Sequence, residues 1–140
     1  MSITHPTATI GPARIRPMPL LGHWLAGWAV CTSIMAVGPL AMTMDATLVV
    51  HAAAAPAVFG GLSWRYFMRY GDTTPLQTAA LFAALVAIVD FVLVAVIIMR
   101  SLEMFASPLG TWIPFSLIFA STFTAGVAAQ RMKKCLTIGG

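Results

Sequence analysis

Apolar positions along this chain fall into four long runs separated by short polar breaks. The runs cover about Leu20 to Met42, Thr47 to Tyr70, Pro75 to Arg100 and Pro108 to Gln130. At 1.5 Å rise per residue, about 20 helical residues cross the hydrocarbon core of a bilayer, so each run is long enough to span it. The third, PLQTAALFAALVAIVDFVLVAVIIMR, is almost unbroken Ala, Leu, Val and Ile. Breaks of a few residues join only neighbouring helices. The pattern therefore predicts an all-α membrane protein, an antiparallel four-transmembrane-helix bundle over residues 20–131. A cytoplasmic N-terminal tail at 1–19 and a cytoplasmic C-terminal tail at 132–140 flank it.

Punctuation residues support these boundaries. Pro6, Pro12, Pro17 and Pro19 crowd the N-terminal segment and argue against a helix there. Trp24 and Trp28 suit an interfacial belt at the start of the first span, and Trp112 does so at the start of the fourth. Gly38-Pro39 should bend or end the first helix. Gly71 suits the end of the second, and Thr74-Pro75 suits an N-cap followed by a first-turn proline. An Arg-flanked apolar run near the start also fits a secretory signal, but Pro39 after Ala36-Val37-Gly38 disfavours cleavage. A retained helix is the better reading.

Composition agrees. The chain is 59% hydrophobic and 9% charged, where a soluble domain carries roughly a quarter charged residues. The net charge of +4 does not point to nucleic acid, because the cations sit at the ends of apolar runs. Arg14, Arg16, Arg65, Arg69, Arg131, Lys133 and Lys134 fall on one side of the expected membrane, and Arg100 alone on the other. By the positive-inside rule both termini are cytoplasmic. Cys31 and Cys135 lie in different environments and form no CxxC or Cys/His spacing, so no zinc or redox motif is written here.

Few polar residues remain to carry chemistry. Asp90 lies ten residues before Arg100, roughly 15 Å into the membrane. An acid there faces protein or a cavity. One reading is a protonatable or substrate-binding site in a transporter. The other is a neutral acid hydrogen-bonded to Ser116, Ser121 or Thr122, or to a carbonyl freed by Pro56. His51, at the outer end of the second span, is either an outer proton relay or a packed interfacial imidazole. Arg100 and Glu103 form an i, i+3 pair if the third helix continues, and with His51 and Asp90 they would line one outward-facing polar pocket. Met42, Met44, Met99 and Met104 near His51 raise a Cu(I) site, but methionine is a common apolar filler and the spacing carries no metal assignment. His23 and His51 lie on opposite sides, which disfavours bis-His haem. No cofactor is implied. Phosphate loops, His-rich clusters, Asp-rich diphosphate motifs and nucleophile elbows are all absent, so catalysis has the least support.

Small residues recur at helical spacing. Ala52, Pro56 and Gly60 share one stripe, and Ala53, Ala57 and Gly61 the next. Ser116, Ala120, Thr124 and Ala128 form another on the fourth span. Such faces let helices approach closely where lipid supplies no hydrophobic drive. With so little extramembrane chain, the first function reading is a non-enzymatic accessory or scaffold subunit that packs against other transmembrane subunits or forms a homo-oligomer in membrane lipid. The second is a small oligomeric proton-coupled transporter using Asp90. The third is a membrane enzyme or lipid-binding protein.

The segment DFVLVAVIIMRSLEMFASPLGTWIPFSLIFASTFTAG, from Asp90 to Gly126, together with the His51 and Pro56 region, resembles small uncharacterised four-span membrane proteins of bacteria. The resemblance covers most of the chain outside the N-terminal tail. It implies a bacterial inner-membrane location and no activity.

Overall fold

Why these runs become helices follows from the solvent. In hydrocarbon each backbone N–H and C=O must be satisfied within the chain, and a helix does so within each run. The computed structural model describes residues 17–99, 106 and 108–138, and those residues are helical apart from short turns. Helix α1 covers Pro17–Ala41 and α2 covers Met44–Arg69. Helix α3 covers Pro75–Val89 and continues as wider π-helical turns over Asp90–Met99. After a π-helical turn at Pro108–Trp112, α4 runs over Ile113–Ile138. The described residues contain four helices long and apolar enough to cross a membrane.

The ends obey local rules. Helix α1 begins at Pro17, earlier than proline density suggests, because a proline in the first turn lacks only an N–H that would have no partner there. Pro39 lies inside the last turn, and the helix stops two residues later at Ala41. The α1–α2 turn is shorter than the expected 43–46 loop: Thr43 is already the N-cap of α2, and its hydroxyl accepts from the Ala46 N–H at 3.3 Å. Gly71 has φ +66°, the left-handed geometry that closes a helix, and its N–H reaches the Tyr66 carbonyl. Thr74 and Gln77 then form a reciprocal capping box with Pro75 in the first turn of α3. Helix α4 runs through Arg131, Lys133 and Lys134 to Ile138, beyond the expected stop at Gln130.

Packing is made by close backbone approach. Helix α2 packs most extensively on α4, α1 packs on α2, and α3 on α4. Gly27 meets the Phe59 ring and Leu62, and Gly60 meets Ser121. A Cβ at Gly126 would stand 2.7 Å from Phe67 and 2.9 Å from Pro75. The core contains Leu20, Trp24, Phe59, Tyr66, Phe67, Phe82, Val86 and Ile118. Around it, Leu21, Leu25, Val30, Val37, Leu40, Val49, Ile88 and Val92 point outward. Only 22% of the most apolar window of α1, α2 and α3 is buried, so most of that apolar surface needs lipid or partner helices to cover it.

Candidate functional site

Asp90 occupies the point where α3 widens from α-helical to π-helical turns, a distortion that recurs at functional positions. It is half-buried, and its Oδ1 accepts a hydrogen bond from the Trp28 indole Nε1–H of α1 at 2.9 Å. This replaces both sequence-based expectations for these residues. Trp28 lies mid-helix in α1 rather than at its start. The donor to Asp90 comes from α1 and not from the hydroxyls of α4. Ser121 instead donates to the Ile118 carbonyl, Thr122 is fully buried with no partner for its hydroxyl, and Ser116 is exposed. The long indole side chain supplies the reach, spanning the gap between two helices that share little backbone contact.

Two more groups gather at this level. Cys31, three residues after Trp28, is buried on the same face of α1. His51 on α2 sits with its ring within polar reach of the Cys31 backbone, and its Nδ1 is buried without a hydrogen-bond partner. Arg100 and Glu103, the other two members of the expected polar pocket, lie outside the described residues. Sequence reasoning missed Trp28 and Cys31. The available signal was helical periodicity, since residues 24, 28 and 31 share one face of α1.

The packing stripes divide between inside and outside. Ala52 is buried, Pro56 is half-buried, and half-buried Gly60 lies against Ser121, so this stripe of α2 is used within the chain. Ala120 and Thr124 are exposed, as are Ser116 and Ala128 beside them. Ala53, Ala57 and Gly61 also face outward, and nothing lies within 4 Å of a Cβ built on Gly61.

Chemically, the cluster offers one carboxyl group, one indole donor, one thiol and one imidazole. Among the described residues no group of three His, Cys, Asp or Glu side chains has metal-holding geometry. Comparison with protein-family models, curated proteins and solved structures found no match to this chain.

Proposed function

We propose that the chain is a non-enzymatic accessory or scaffold subunit of a bacterial inner membrane, packing against other transmembrane helices. In this reading the four spans form an antiparallel bundle with both termini cytoplasmic, an orientation that the distribution of Arg and Lys supports. One observation carries the proposal: the carboxyl group in the membrane is engaged by a side chain of the same protein. The Trp28–Asp90 bond ties α1 to α3, two helices with little backbone contact of their own. An interhelical bond of this kind contributes about 0.6 kcal/mol and up to about 1.7 kcal/mol in membranes, enough to fix an arrangement of helices. The outward small-residue faces of α2 and α4 then remain available to partners.

The transporter reading has its own support in His51, half-buried beside the Cys31 backbone one turn from Trp28. Asp90→Asn separates the two. Asparagine keeps a carbonyl that accepts from Trp28 but carries no titratable proton. For a scaffold, Asp90→Asn retains thermal stability and co-purifying partners, whereas Asp90→Leu loses both. For a proton-coupled transporter, both variants abolish proton uptake into proteoliposomes, measured with an internal pH dye. Proton uptake by the wild type that Asp90→Asn eliminates would overturn the scaffold proposal.

A further inference from the structure

Helical hydroxyls in an apolar medium ordinarily bond the carbonyl one turn back. Ser33, Thr47, Thr78, Ser121, Thr124 and Thr137 all do so here. Ser63 and Thr122 do not. Both are fully buried, and neither hydroxyl has a partner. The Trp24 indole N–H is likewise without an acceptor although the residue is only 8% exposed.

Helix register places these three groups in one layer. Phe67 of α2 meets Gly126 of α4, and Gly60 meets Ser121, so residue numbers rise together along this pair. One turn before Phe67 is Ser63, and one turn before Gly126 is Thr122. Helix α1 runs the other way along α2: His23 lies edge-on to Tyr66, while Gly27 meets Phe59 and Leu62. Trp24 therefore falls at the level of Ser63. From α3, Pro75 meets Gly126, which brings the fully buried Ala79 to the same level and supplies no polar group.

We propose that Trp24, Ser63 and Thr122 form an internal binding site for a water molecule joining α1, α2 and α4. The chemistry selects this ligand. An indole N–H only donates, so it repels a bare cation. Arg65, two residues from Ser63, is exposed, so among the described residues no buried cation is shown there to compensate an anion. A water molecule accepts from the indole and exchanges hydrogen bonds with two hydroxyls, the three contacts typical of buried water. In hydrocarbon, three unsatisfied polar groups are costly, so filling the site stabilises the joint. The Trp24 ring stacks on Trp28 with centroids 6.4 Å apart, which continues the polar layer to the Asp90 bond one turn above.

The experiment is magnetisation transfer from water to the Trp24 indole proton, in the full chain in lipid nanodiscs, with the resonance assigned by Trp24→Phe. The expected result is a cross-peak to long-lived water that is lost in the Ser63→Ala, Thr122→Val double variant and kept in Thr122→Ser. No cross-peak in the wild type overturns the proposal, and so does one that survives the double variant unchanged. If the double variant does not fold, the wild type and Thr122→Ser decide: a cross-peak in both supports the site, and its absence from either overturns it.

Discussion

Trp28 and Asp90 make unequal demands on substitution. Replacing Trp28 with Phe keeps an aromatic ring in place but leaves the carboxyl group without its indole donor. Stranding a buried polar partner costs about 1–3 kcal/mol. Trp28→Phe should therefore lower thermal stability in detergent more than Asp90→Asn, which preserves the acceptor. Differential scanning fluorimetry of the two variants reads the order directly, and the reverse order would show that the bond does not hold α1 to α3. Asp90 was legible in the sequence because an acid in an apolar run has few permitted surroundings. Its partner was not legible. Tryptophan near a helix start has a ready interfacial explanation, and only the placing of α1 within indole reach of α3 brings the two side chains together.

Helix boundaries were legible where local chemistry decides them. Gly71 and Thr74-Pro75 end and restart helices because the left-handed turn and the capping box are encoded within a few residues. The far end of α4 was not, since basic residues can terminate a span without terminating the helix. Small-residue stripes were visible too, but their direction was not, because periodicity does not say which face meets the chain's own helices. The structure assigns the directions, and glycine substitutions test them. Gly126→Val should destabilise strongly, since the added atoms would enter Phe67 and Pro75, both held by packing. Gly22→Ala and Gly61→Ala meet no neighbour within 4 Å and should raise stability by about 0.5–1 kcal/mol through helix propensity. Thermal melts of the three variants check both signs. If Gly61→Ala stabilises the isolated protein yet weakens its assembly on native gels, the outward face of α2 is a contact with partners.

The whole molecule offers a direct test of orientation. Cys135 is exposed near the end of α4, and Cys31 is buried in α1. A membrane-impermeant maleimide should label Cys135 in inverted vesicles but not in intact spheroplasts, and should label Cys31 in neither. Labelling of Cys135 from the outer face would reverse the orientation assigned from the Arg and Lys distribution.

Joining Trp28 to Asp90 also sets an order of events during synthesis. The two residues are 62 positions apart, and at 5–20 residues per second a ribosome makes that interval in about 3–12 s. Helix α1 is thus available to the translocon before α3 emerges. On insertion scales an aspartate at mid-span adds about 2.5–3.5 kcal/mol, a penalty that α3 would meet without support if it partitioned alone. With α1 already in the bilayer, the indole N–H is waiting when the acid arrives. Insertion of α3 in a cell-free translocation assay should accordingly be more efficient with wild-type α1 upstream than with the Trp28→Phe form.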